Sequence, residues 1–381
     1  MNWIMALAIL SLAVIGILFV YSACMAAGDQ FTGRPMKQVQ WLVFGLFVFL
    51  AVVAVDYHRI CKDAWWIYAL AVVLLVLVLL IGKTVYGAKR WLALPGVQFQ
   101  PSEVAKLATI LLLARFMSRQ YVDYERFGYV IATLAIATLP ALLIFIQPDL
   151  GSALVLLPVV IAMMFVARVP LRYMAILVAT GVLAVVTVLG VMFVPEKLGY
   201  DKATQEMVMK SVGIKPYHKT RIETFVNPGK DPLGAGYNKM QSENAIGAGG
   251  WSGRGYRKSV SAFLAFLPRT VAPTDFIFAV VAEEEGFMGA MTVLLLYCIV
   301  IACGLWAAVV AADRMGRLLC VGMTTMVFVH VFVNIGMTIG LLPVTGVPLP
   351  LMSCGGTFAV CTLVALGVVQ SVYARRRFLR N

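Results

Sequence analysis

The chain has 381 residues, 61% of them hydrophobic and only 13% charged, with a formal net charge of +13. Soluble domains are nearer half apolar with about a quarter charged, so a water-soluble globular protein is excluded. In a soluble chain the basic excess would point to nucleic acid. Here no stacking aromatics are interleaved with the basic residues, which leaves membrane topology as their explanation and no nucleic-acid partner.

The apolar residues fall in runs of roughly 17–25, the length that crosses about 30 Å of hydrocarbon as a helix. Backbone groups in lipid must pair within their own segment, so the runs predict helices. The first run lies near Ile4–Cys24. Its end mimics a signal-peptide cleavage site, but no basic stretch precedes it and more runs follow, so it reads as a retained helix. Further runs lie near Val39–Val55, Ala64–Gly82, Ser102–Met117, Gly128–Ile146, Gly151–Ala167, Tyr173–Val194, Phe276–Ala311, Leu318–Leu342 and Phe358–Tyr373. The expectation is an all-α polytopic membrane protein with about ten transmembrane helices. The eighth run is too long for one perpendicular span and must tilt or project.

Orientation follows from Lys and Arg in the short loops. A cytoplasmic N-terminus places Arg59, Lys62, Arg115, Arg119, Arg314, Arg317 and the Arg375–Arg377 tail inside, and only Arg34, Lys37, Lys83, Lys89 and Arg90 in the short outer loops. Both termini are then cytoplasmic. The segment 195–275 is a large extracytoplasmic loop, polar and basic, inside an otherwise single membrane domain over 1–381. It holds a glycine-rich stretch from Gly234 to Gly255. Loops of that length without function are uncommon.

Several polar residues stand where helices meet these loops. Glu103 and Lys106 are three apart at the start of the fourth run; they form either a local ion pair that lets both enter the membrane or a phosphate-binding lysine held by its glutamate. Asp149, in Gln147-Pro148-Asp149-Leu150-Gly151, reads as a helix cap or as a carboxylate on the outer face. Asp275, in Thr274-Asp275-Phe276, is a helix N-cap, a general base at the membrane surface, or both. Glu283, Glu284 and Glu285 follow inside the same run. Three carboxyls there must face a cavity or partners, and pairing with Arg or Lys is one solution. The final outer loop, Gly340 to Pro350 and then Ser353-Cys354-Gly355-Gly356-Thr357, is too rich in Pro and Gly for a helix. Its amides suit either a ligand-free re-entrant turn or an anion. The seven cysteines and three histidines have no metal-ligand spacing. No phosphate-binding Gly-Lys-Ser/Thr loop and no nucleophile-elbow serine occur.

Taken together, Trp91-Leu92, Phe99-Gln100-Pro101-Ser102-Glu103, Gln147-Pro148-Asp149-Leu150-Gly151-Ser152, Asp231-Pro232-Leu233-Gly234-Ala235-Gly236-Tyr237-Asn238, Ala245-Ile246-Gly247, Phe266-Leu267-Pro268, Thr274-Asp275-Phe276-Ile277-Phe278-Ala279 and the stretch from Asn334 to Pro350 resemble the SEDS family of cell-wall polymerases. Val344-Thr345-Gly346-Val347-Pro348-Leu349-Pro350 looks more like the elongation type, RodA, than the division type, FtsW. The resemblance implies a ten-helix peptidoglycan glycosyltransferase in the bacterial cytoplasmic (inner) membrane, with its active site outside. It implies lipid II (undecaprenyl-pyrophosphate disaccharide-pentapeptide) as substrate. Its partners would be a class B penicillin-binding protein and other membrane proteins of the elongation complex. The family's essential aspartate falls on Asp275, and its important Glu and Lys on Glu103 and Lys106. The chain departs from the family at Pro273, where His is usual, at Cys354 and Thr357 in the Ser-Tyr-Gly-Gly-Ser loop, and at Glu285, where Leu is common.

The chemistry suits one carboxylate base. A sugar hydroxyl must lose its proton while attacking an anomeric carbon, and the pyrophosphate leaving group needs cations rather than an acid. Asp275 is the expected base, with Lys106 and Arg221 as phosphate stabilisers and Asp149, Glu283 and Ser353 in support. No metal ligands and no certain cofactor are expected, with a divalent cation (Mg2+ or Mn2+) left open. A lipid flippase and a non-catalytic scaffold are the competing classes. The charges cluster at helix ends and no inverted repeat is visible, which sets the chain apart from transporters.

Overall fold

The computed structural model describes residues 1–26, 33–85, 88–94, 97–119, 127–147, 149–197, 200–201, 207, 222–225, 235–259 and 271–376. Each apolar run is a helix: α1 (Trp3–Ala26), α2 (Gly33–Ala54), α4 (Ala64–Ile81), α5 (Pro101–Met117), α6 (Phe127–Ile146), α7 (Leu150–Val166), α8 (Leu171–Lys197), α10 (Ile277–Val309), α11 (Arg314–Thr338) and α12 (Gly356–Ala374), with short α3 (Tyr57–Lys62) and α9 (Ala235–Gly249) between them. Among the described residues, eight helices are long and apolar enough to cross a membrane. The other two expected spans, α5 and α7, are 17 residues each, or about 26 Å. Between α4 and α5 lies a small antiparallel sheet that the apolar pattern does not announce: β1 (Lys83–Val85), β2 (Ala88–Leu94) and β3 (Val97–Phe99), paired Lys83 to Trp91 and Leu92 to Phe99.

The bundle is layered by burial. Helices α5, α11 and α12 are buried along most of their length, whereas α8 presents leucines and valines outward, as a lipid-facing helix does. The most extensive helix packing joins α2 to α12, with α1 against α10 and α11 against α7 and α10 next. The chain ends are tied as well. The Asn2 amide donates to Gln370 Oε1 at 2.8 Å, and Gln370 Nε2 returns a bond to the Asn2 carbonyl at 2.9 Å. On the same face Arg375 donates to the carbonyls of Val53 and Ala54 at 3.1 and 2.6 Å, closing α12 onto the end of α2.

The over-long eighth run neither simply tilts nor simply projects. It is broken at Gly286, which takes φ 65° and ψ −160°, a conformation open to glycine. A break inside a membrane helix strands backbone groups that must find other partners. The segment after α9 supplies them. Arg254 and Gly255 donate their amides to the carbonyls of Glu283 and Glu284 at 3.0 and 2.8 Å, and the amides of Phe287 and Met288 donate to the carbonyls of Gly250 and Trp251 at 2.9 and 3.3 Å. A methyl group on Gly253 would sit 2.1 Å from the Glu284 carbonyl oxygen, so the two backbones meet with no room for a side chain. The glycine-rich stretch of the sequence is therefore helix α9 and a strap over the broken helix, rather than a loose loop.

Candidate active site

Asp275 lies in a turn, 271–276, whose amides at Thr274 and Asp275 both return to the Val271 carbonyl. Helix α10 starts after it, at Ile277, and its N-cap is Phe276. The capping role considered for Asp275 is thus not the one it plays. Its side chain is half-buried, and Oδ2 lies where a methyl group on Gly346 would be only 3.3 Å away. Gly346, at φ 73°, belongs to the Pro- and Gly-rich loop, which runs as irregular backbone at this point, as its composition predicts.

Three ties fix that loop to the aspartate's turn. Ser353 Oγ donates to the Thr274 carbonyl and accepts the Leu349 amide. The Cys354 amide donates to the Pro273 carbonyl at 2.9 Å. Asn334 Nδ2, from the buried face of α11, donates to the carbonyls of both Asp275 and Val347, at 2.9 and 2.7 Å. Ser353 therefore acts by holding the turn. On its other side the loop meets the start of α7, where a methyl on Gly151 would touch Val347 and the Thr345 carbonyl. The loop is sandwiched between the Asp275 carboxylate and the first turn of α7.

Asp149 caps that turn, as expected, accepting the Ser152 amide at 3.2 Å. It also accepts Gln100 Nε2 at 3.1 Å and faces Arg90 Nη1 at 3.7 Å. Glu103 and Lys106 form the predicted ion pair, 2.9 Å apart and almost wholly buried. A third member joins them, since the Lys106 ammonium lies 2.8 Å from His330 Nε2. His330 Nδ1 lies 2.7 Å from the Met326 carbonyl, so the proton sits on Nδ1 and Nε2 accepts from the lysine. Lys106 is thus enclosed between partners rather than open to solvent.

The carboxyls of α10 separate. Glu283 accepts Ser259 Oγ at 2.6 Å; Glu284 accepts Ser22 Oγ of α1 and the Arg257 amide at 3.0 Å. Hydroxyls and amides of the strap and of α1 serve these two, so Glu283 supports the strap. Glu285 lines a cavity between α1 and α10. Arg221 lies outside the described residues.

His330, Asn334, Gln100 and Arg90 are absent from the sequence-based site. His330, Asn334 and Thr338 recur every four residues on apolar α11, and Thr338 Oγ1 bonds the Asn334 carbonyl at 2.6 Å. Polar groups in register on a membrane helix mark a buried polar seam. Among the described residues no three His, Cys, Asp or Glu side chains converge on a point that could hold a metal ion. The carboxylates of Asp149 and Glu103 are already engaged, so these residues do not fit a dedicated divalent-cation cage.

Comparison with known proteins places this arrangement. A family model described as a cell cycle protein and covering FtsW, RodA and SpoVE matches residues 2–378. The peptidoglycan glycosyltransferase MrdB of Escherichia coli is 35% identical over 364 residues, covering 95% of this chain and 92% of the relative. The peptidoglycan glycosyltransferase RodA of Treponema pallidum is 33% identical over 429 residues, covering 98% of each chain. A chain of a solved peptidoglycan synthase complex, reported to coordinate polymerization and crosslinking, superposes with a TM-score of 0.78 at 28% identity over 99% of this chain and 98% of that chain. The rod shape determining protein RodA of Thermus thermophilus superposes at 0.70 and 26% identity, over 99% and 97%. With its membrane helices, its irregular loop against Asp275 and a match along nearly its whole length, the chain is an integral membrane protein belonging to the FtsW/RodA/SpoVE family, the SEDS polymerases.

Proposed function

We propose that this chain is a peptidoglycan glycosyltransferase of the elongation type, polymerising lipid II on the outer side of the bacterial cytoplasmic membrane. The observation that carries the assignment of roles is the half-buried Asp275 carboxylate, held by its own backbone at the edge of a loop that three separate hydrogen-bonded ties keep in place.

Asp275 takes the proton of the acceptor sugar hydroxyl as that oxygen bonds to the donor's anomeric carbon. The bond from that carbon to the pyrophosphate breaks on the opposite face, so the configuration inverts and undecaprenyl pyrophosphate leaves. Positioned general bases contribute about 10²–10⁴-fold. The departing charge falls to cations. Arg90 has a buried Nε with no hydrogen-bond partner among the described residues, a donor that a phosphate oxygen would satisfy. Lys106, locked between Glu103 and His330, adds a charge fixed in place. Arg221 and other basic residues of the long loop complete the set. A class B penicillin-binding protein is the proposed partner that crosslinks the product.

The test is purified protein with lipid II in liposomes. Wild type is expected to yield glycan polymer. Asp275→Asn is expected to insert normally and lose at least about 100-fold of the rate. Lipid movement without polymer would replace this reading with a flippase, and a normal rate in Asp275→Asn would remove the aspartate from the chemistry.

A further inference from the structure

From Phe287 to Val309 helix α10 alone rises about 35 Å, enough to cross the hydrocarbon. The break at Gly286 therefore falls at the headgroup boundary on the Asp275 side. Beside it, between α1 and α10, opens a cavity of about 350 Å³ walled by Leu18, Phe19, Val281, Val293, Tyr256 and Glu285. Its walls are apolar apart from the Tyr256 and Thr292 hydroxyls and one charge, the carboxylate of Glu285. Gly289 makes room for that side chain, since a methyl there would lie 2.2 Å from Glu285 Cβ. Glu283 and Glu284 are satisfied by the strap and α1, whereas Glu285 has no hydrogen-bond or ionic partner among the described residues. A carboxylate left unpaired among apolar walls at the headgroup boundary is a place for a cationic headgroup.

A second charge adjoins the cavity wall at Tyr256. Arg257, next to Tyr256, is exposed and held at φ 62°, a left-handed conformation that costs a non-glycine residue roughly 1–2 kcal/mol. Its guanidinium lies 5.7 Å over the ring of Tyr21, one turn along α1 from Leu18. Trp251, 70% exposed, stacks on Phe287 at 4.9 Å, an aromatic anchor of the kind found at membrane interfaces. The feature is thus an apolar slot at headgroup level with an anion inside it and a cation beside its wall. An acyl chain is far thinner than a helix with its side chains, about 10 Å across, so it suits an open slot between two packed helices better than a partner's helix does.

We propose that this slot binds phosphatidylethanolamine, with the ammonium on Glu285, the phosphate on Arg257 and an acyl chain along α1. An ammonium brings three N–H donors to the carboxylate. A trimethylated headgroup brings none, and a glycerol headgroup carries no positive charge.

The test uses the full-length protein in detergent, titrated with phosphatidylethanolamine, phosphatidylcholine or phosphatidylglycerol of matched chains, with bound lipid counted by native mass spectrometry. Wild type is expected to hold the ethanolamine lipid about tenfold more tightly than the choline lipid, the scale of one charge-assisted hydrogen bond. Glu285→Gln should erase that preference, and Arg257→Ala should weaken all three lipids alike. Thr292→Trp, which fills the slot without touching either charge, should abolish retention. Equal retention of the three lipids by wild type, or a preference that survives Glu285→Gln, overturns the proposal. So does a Glu285→Gln protein that sheds a co-purifying membrane protein while keeping its lipid, because the slot would then be a protein contact. Bound lipid is the readout, so failure of the polymerase reading leaves this test intact.

Discussion

At the scale of single residues, the site is set by what surrounds the aspartate's main chain. Gly346 combines a positive φ with contact to the Asp275 carboxylate. Gly346→Ala forces a left-handed alanine, at about 1–2 kcal/mol, and pushes on Oδ2. The expected outcome is a fall in kcat of roughly tenfold to a hundredfold from a displaced base, with protein yield near normal, measured as lipid II turnover. The Glu103–Lys106–His330 group makes a second prediction. Removing only the cation, in Lys106→Met, leaves Glu103 buried and unpaired at a cost of about 3–5 kcal/mol. Glu103→Gln together with Lys106→Met removes both charges and should recover much of that stability. Thermal unfolding of the four forms in one detergent checks it, and strictly additive losses would show the pair to be uncoupled. The pair itself was legible from its i, i+3 spacing. His330 was not, because scattered histidines carry no metal pattern and its partner lies 224 residues away in the chain.

Among the elements, the strap over α10 is the feature whose sequence signal is least direct. The spans were readable because the bilayer demands long apolar runs. The break at Gly286 is hidden inside such a run, and the bonds that bridge it join backbone amides to carbonyls, which leave no side-chain signature. The glycines and the glutamates Glu283 and Glu284, which the strap also bonds, hint at a partner without saying which segment supplies it. Gly253→Ala places a methyl 2.1 Å from the Glu284 carbonyl oxygen in a left-handed residue. It should destabilise the protein by about 2 kcal/mol or more, read as a lower unfolding temperature and faster proteolysis near Trp251. The neighbouring exposed Ser252→Ala should behave as wild type. The small sheet between α4 and α5 was illegible for a different reason. It lies outside the apolar runs, where lipid imposes no choice between helix and strand.

Across the whole molecule, the face that holds Asp56 and Arg375 closes through charge. Asp56 feels burial, which raises its pKa, but the amide and ring of His58 and the Arg375 guanidinium outweigh it and hold the carboxyl below its ordinary value. A lowered folded-state pKa means the contribution is present above the unfolded value, about 3.9, and fades as pH falls through the folded one. Wild type should therefore lose stability as pH drops below about 4, with a shallower acid limb in Asp56→Asn, measured by unfolding temperature from pH 7 to pH 3. The overall plan, a mostly helical membrane chain, followed from composition and the length of the apolar runs. The assignment of site roles needed several motifs in order, because no one of them is specific.

The most extensive helix packing joins α2 to α12, and Gln370 clasps Asn2. Helix α2 must therefore wait in the bilayer, its inward face uncovered, until α12 has been made, and a nascent chain stalled before Gly356 would present that unmatched surface to quality-control proteases.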